Sequence, residues 1–206
     1  MNLLIIGAGG HAKVVIDVAR AAGFEPIAAL DPAAVGEICN GVEVTGSDSL
    51  APEFFARGTR MAAVAVGDNR LRCRIAERLQ AIGFTFPSLV HPSAVVSGSA
   101  KIGNGTIVMC NAVVNADASV GDFVIVNSAA IVEHDCVLGR GAHVAPGTRL
   151  GGGVRIGCCA LMGIGSVARP RSTVGDYAVV GAGSTIISDI PAGCIAMGSP
   201  ARARNL

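Results

Sequence analysis

The chain has no tryptophan and one tyrosine, and aromatic residues make up 3% of its 206 positions. A core stacked from aromatic rings is thereby excluded, so burial must come from aliphatic and small side chains. Charge is also scarce: 16 Lys and Arg stand against 15 Asp and Glu, for a net charge of +1. With no basic run and no interleaving of aromatic with basic residues, a nucleic-acid partner is not expected. No apolar stretch reaches the roughly 18 residues that span a bilayer, so no membrane span is expected either. The seven cysteines are odd in number and scattered, without zinc-ligand spacing. This usage suits reduced thiols in a cytoplasm.

What the sequence has in abundance is a period. From Val90 to Ile186 every sixth residue is aliphatic, including Val108, Val126, Val144, Met162 and Val180. Four residues after each of them a small side chain recurs, as at Ala112, Ala130, Cys136, Ala142 and Ala160, with Ile190 the bulky exception. The small residue lies two before the next aliphatic one, so both point to the same side of a strand. Glycine gathers one and three residues after the aliphatic position, where the chain must turn and positive φ is expected. Such a hexapeptide repeat predicts a parallel β-helix of three sides and 18 residues per coil, and an accidental spacing in a β-sandwich does not account for it.

Five of the six phenylalanines precede residue 88, which predicts a second, separate core there. The expected organisation is an α/β Rossmann-like domain over 1–87 and the β-helix with a C-terminal tail over 88–206. Leu3–Ile6 reads as a first strand and not a signal peptide. Gly-Ala-Gly-Gly-His-Ala at 7–12 follows as a turn into a helix. Further strands are expected at Ile27–Leu30, ending in Asp31, and at Ala62–Val66, ending in Gly67-Asp68-Asn69, with a helix from Arg70 to Ile82. The glycine turn aims backbone N–H groups at a phosphate. Fewer than 90 residues leave room for one mononucleotide-binding half, so a single nucleotide-linked ligand fits better than a dinucleotide; a turn serving only strand–helix packing is the plainer alternative.

On the solenoid, His134 falls at a corner and His143 in mid-strand, both facing outward. Nine residues is half a coil, so one chain cannot bring them into one site. A shared reaction requires a second copy, and three-sided prisms close naturally into a homotrimer with sites in the clefts. One coil above His134 is Gly152, whose missing side chain leaves room beside the imidazole and whose N–H could meet an oxyanion. Asp135 could hold the tautomer of His134 or simply occupy a turn. Cys136 is directed inward and is rejected as a nucleophile.

These residues carry a resemblance. Gly7–His11, Asp31, Gly67-Asp68-Asn69, the segment 127–143 and the closing Gly198-Ser-Pro-Ala-Arg202 resemble the bacterial nucleotide-sugar N-acetyltransferases that modify 4-amino-4,6-dideoxy sugars, within the sialic-acid O-acetyltransferase group. The resemblance implies a left-handed β-helix and a cytoplasmic homotrimer that uses acetyl-CoA as cosubstrate without a metal. It implies His134 as the base acting on the sugar's 4-amino group, with Asp135 in support where relatives often carry Glu. It places His143, Ile164 and Ala182 against acetyl-CoA, with Ala182 replacing a glycine. Gly9, Gly10, His11, Asp31 and Gly67 would hold the nucleotide-linked amino sugar, with Asn127 near the reacting amine. Arg169, Arg171, Arg202 and Arg204 could meet coenzyme A phosphates, though solvated basic side chains are the commoner case. UDP and GDP carriers both stay open. The competing readings are O-acetylation of a sugar hydroxyl, a zinc lyase of the carbonic-anhydrase type, for which a third histidine ligand is missing, and a noncatalytic nucleotide-sugar-binding protein.

Overall fold

The computed structural model describes residues 1–204. The chain divides into two compact units, Met1–Pro92 and the remainder from Ser93. The composition shift puts the junction at 87/88. The five residues between include the short strand Leu89–Val90, the first of the aliphatic series, which packs against the first helix of the N-terminal unit.

That unit is built on a five-stranded sheet. Its strands are β1 (Asn2–Ile6), β2 (Glu25–Leu30), β3 (Ile38–Cys39), β4 (Val42–Gly46) and β5 (Met61–Val64), in the spatial order β3-β4-β2-β1-β5. Its helices are α1 (Gly10–Ala21), α2 (Ala51–Ala56) and α3 (Asn69–Ile82). Leu3, Leu4 and Ile5 of β1 are fully buried, as expected for an interior strand of a sheet covered on both faces. Asp68 caps α3 by accepting a hydrogen bond from the Leu71 N–H at 2.7 Å, and Gly83 ends the helix at φ 113°. Sequence reading passed over β3 and β4. They form an antiparallel hairpin whose turn is Asn40-Gly41, at φ 47° and 76°. Asn-Gly is a strong signal for such a turn.

The second unit is a left-handed parallel β-helix. Two-residue strands pair with an 18-residue offset throughout most of its length, as in Val113↔Ile131 and His143↔Leu161. One face runs through Val95–Val96, Val113–Val114, Ile131–Val132 and onward; a second through Lys101–Ile102, Ser119–Val120 and Val137–Leu138; a third through Ile107–Val108, Ile125–Val126 and His143–Val144. The alternation of small and aliphatic residues is the interior: Ala112, Val114, Ala130, Val132, Cys136, Leu138, Ala142 and Val144 are all 2% exposed or less. The last coil is two residues short, since Val179 pairs with Ile195 and Val174 with Ile190. Ile190, the exception to the small series, marks that change of register.

The two glycine series have different causes. Those three residues after the aliphatic position take positive φ, for example Gly147 at 67° and Gly153 at 70°. The same position is left-handed when occupied by Asn111, Phe123, Ala129, Asp135 or Tyr177. Glycines one residue after the aliphatic position are not left-handed, contrary to expectation. A Cβ on Gly157 would lie 2.4 Å from the Asp176 backbone nitrogen, and one on Gly139 2.7 Å from that of Cys158. Close stacking of successive coils, not backbone conformation, demands glycine there. The carbonyls of this series also serve buried donors: the Thr106 hydroxyl donates to Gly121 O at 2.7 Å, Thr148 to Gly163 O at 3.0 Å, and the Cys136 thiol to Gly151 O at 3.3 Å.

Candidate active site

His134 stands on the corner between the strands Ile131–Val132 and Val137–Leu138, with 63% of its side chain exposed. Its Nδ1 lies 2.8 Å from Asp135 Oδ2. An ionised carboxylate can only accept, so Nδ1 carries the proton and Nε2 is left as an acceptor. Asp135 is able to reach back because its backbone is left-handed, at φ 60°. The turn role and the support role, alternatives in the sequence, are thus compatible in one residue. At Gly152 the space a side chain would fill is taken by the imidazole, since a Cβ there would lie 2.5 Å from both Cε1 and Nε2 of His134. The Gly152 N–H donates no hydrogen bond among the described residues, while its carbonyl accepts from Arg171 N at 2.9 Å. Burial pushes the Cys136 thiol up in pKa, which keeps it protonated and unreactive.

His143 lies on another face of the prism, half-buried, with its Nε2 3.0 Å from Asn127 Nδ2. Asn127 also accepts from the Ser128 N–H through its own Oδ1 at 2.8 Å, so its amide is held from both ends. Ile164 and Ala182 occupy the corner that follows this face on two successive coils, linked through Gly183 N–H donating to Ile164 O at 2.8 Å. Both are exposed, Ile164 to 61%. The structure therefore gathers His134, Asp135 and Gly152 at one edge, and His143, Asn127, Ile164 and Ala182 along another. Asn127, which the resemblance set near the amine, is a partner of His143.

In the N-terminal unit, Gly7 takes φ 106°, and a Cβ there would meet Ala65 O at 2.8 Å. Asp31 Oδ2 accepts from the Ala8 N–H at 2.8 Å and Oδ1 from the Ala33 N–H at 2.9 Å. This carboxylate thus holds the glycine turn in place. Gly9 and Gly10 border open space and α1 has no side-chain cap, so its first N–H groups face a site able to take an anion. His11 is pushed down to about 4, chiefly by burial and further by the charge of Arg72, so it is neutral near pH 7. Sequence reading missed Arg72, which is 1% exposed. Its guanidinium donates to Val66 O at 3.0 Å, Gly67 O at 3.3 Å and Asn69 Oδ1 at 2.8 Å, fastening the loop that carries Gly67. Four arginines crowd residues 70–78, and only the spacing of Arg72 with buried Ala76 and Leu79 marks it as the inward one.

Residues 2–79 match the PglD N-terminal domain family. Over 99% of this chain and 97% of the other, the structure is similar to that of PerB from Caulobacter crescentus in complex with CoA and GDP-perosamine, at 40% identity and a TM-score of 0.96. It is similar also to the acetyltransferase domain of PglB from Neisseria gonorrhoeae, at 44% identity and a TM-score of 0.94 over 98% and 99% of the two chains. The chain belongs to the nucleotide-sugar N-acetyltransferases. Within that family it is 36% identical to UDP-N-acetylbacillosamine N-acetyltransferase of Bacillus subtilis over 52% of this chain, and spans about half (51%) of that protein. It is 28% identical to GDP-perosamine N-acetyltransferase of Escherichia coli O157:H7 over 82% of this chain and 80% of the relative. Among the described residues no helix of this family member is long and apolar enough to cross a membrane, and no three His, Cys, Asp or Glu side chains converge as a metal-binding group.

Proposed function

We propose that the protein transfers the acetyl group of acetyl-CoA to the 4-amino group of a nucleotide-linked 4-amino-4,6-dideoxy sugar. The observation that carries this reading is the imidazole of His134, held by Asp135 through Nδ1 and seated over Gly152 with Nε2 free to accept a proton. The amine attacks the thioester carbonyl while His134 Nε2 takes its proton. The Gly152 N–H meets the oxyanion of the tetrahedral adduct. Collapse expels the thiolate of coenzyme A, which recovers the proton from His134, so amide and free thiol leave and no acyl-enzyme forms.

The second substrate needs a wall that the His134 edge lacks. His143, Ile164 and Ala182 supply one on a different edge, so the reacting groups meet where two copies of the chain adjoin, and a homotrimer closes three such sites. Asn127 orients the His143 ring. The nucleotide sugar is held by Gly9, Gly10, His11 and Gly67, with Asp31 bracing the turn. Acetyl-CoA and nucleotide sugars are metabolites of the cytoplasm, where the enzyme would act.

The direct test incubates purified protein with acetyl-CoA and GDP- or UDP-linked 4-amino sugars, following thiol release. Turnover is expected with an amino sugar and not with its 4-hydroxy counterpart, which separates N- from O-acetylation. His134→Asn is expected to cost about 10²–10⁴-fold in kcat. Unchanged turnover in that variant would remove His134 from the chemistry.

A further inference from the structure

Beside the glycine turn, the N-terminal unit holds a cavity of about 330 Å³ that the mechanism leaves unused. It lies at the C-terminal ends of β1, β2 and β5, with Leu30, Val66 and Ile75 among its apolar walls and Asp31 at its lining. In sheets of this order, ligands sit outside the carboxyl ends of the strands, with the acidic residue after β2 near the ribose. A flat base extending past Asp31 would enter the apolar part. Two further charged groups line that same space, Asp48 and Arg78, thirty residues apart in sequence and paired at 2.5 Å between Arg78 Nη2 and Asp48 Oδ2.

We propose that Asp48 is the residue that selects guanine as the base of the nucleotide sugar; this rests on the nucleotide-sugar reading above. A carboxylate offers two adjacent acceptors. Guanine is the one common base whose Watson–Crick edge presents two adjacent donors, N1–H and N2–H. Uracil flanks its single N3–H with carbonyl oxygens, and adenine and cytosine set a ring acceptor beside their amino group, so each would turn a lone pair toward the second carboxylate oxygen. Arg78 occupies one lone pair of Oδ2 and orients the carboxylate, leaving Oδ1 and the remaining acceptor capacity of Oδ2 for the base.

Calorimetric titration of the intact protein with free nucleoside diphosphates tests this without acetyl transfer. GDP should bind tightest. Inosine diphosphate, which lacks the N2 amino group, should bind about tenfold more weakly, and UDP and ADP about 10²-fold or more. Asp48→Asn is nearly isosteric at a site with 30% of the side chain exposed, so the fold should tolerate it. It should lose about 10²-fold for GDP and come to prefer xanthosine diphosphate, whose N1–H and O2 match an amide's acceptor and donor. Equal affinity for GDP and UDP in the unaltered protein, or an unchanged ratio in Asp48→Asn, overturns the assignment even where acetyl transfer proceeds. A guanine preference reversed in Asp48→Asn, without acetyl transfer to any amino sugar, supports the assignment and sinks the proposed reaction instead. Failure of every nucleoside diphosphate to bind removes both.

Discussion

The contact between Gly152 and the imidazole of His134 is close enough that one methyl group should separate a folded protein from an active one. Gly152→Ala would set a Cβ 2.5 Å from Nε2, so the ring must swing away from its place. A displacement near 1 Å typically costs about 10²-fold in rate, and that loss in kcat, with an unchanged circular dichroism spectrum, is the expected result. His11 gives a second prediction, in stability. Its folded pKa of about 4 lies below the ordinary 6.5, so between those values the unfolded chain binds a proton that the folded one refuses. Stability contributed by neutral His11 is therefore full above pH 6.5 and is lost as pH falls toward 4, by up to about 3 kcal/mol. Denaturant unfolding at a series of pH values should show this slope, and His11→Asn should flatten it.

A hexapeptide places four kinds of demand on six residues, and two of them concern glycine. At the position after the aliphatic residue, the next coil is so near that Gly157→Ala forces a Cβ against backbone that cannot yield. Overpacking of this kind should cost about 1–3 kcal/mol. Two residues further on only φ is constrained, and Gly147 has nothing within 4 Å of an added Cβ. Asn tolerates the left-handed region, as it does at Asn111. Gly147→Asn should thus shift stability by less than about 1 kcal/mol. Guanidinium unfolding midpoints of the two variants discriminate between the causes, which a bare count of glycines in the repeat cannot do.

The proposed trimer has a consequence that no single-copy site shares. If His134 comes from one copy and His143 from its neighbour, two inactive variants carry complementary halves. His134→Asn and His143→Ala, unfolded together and reassembled in equal amounts, should recover about a quarter of the normal activity, because one interface in four joins two intact halves. Activity that stays at the level of the separate variants would show that each copy works alone.

Much of this architecture is written in local pattern. A sixfold period needs no distant contact to be seen, because every coil repeats the same inward pair, and Ala142 with Val144 or Cys136 with Leu138 can be placed by register alone. The corner position of His134 and the outward face of His143 follow from the same count. The strand-to-helix turn at Gly7–His11 was legible too, since glycine and helix periodicity are both short-range. Asn40-Gly41 was equally short-range, and its hairpin could have been read. Other features depend on chain segments far apart in sequence. That the Gly152 site is filled by an imidazole, that Asp31 braces Ala8, that Asn127 meets His143, and that Arg72 alone among the arginines of α3 is buried are decided by packing. The cause is geometric: a repeat tells a residue which way it faces, whereas the partner it finds there is set by the coil, strand or helix that folding brings alongside.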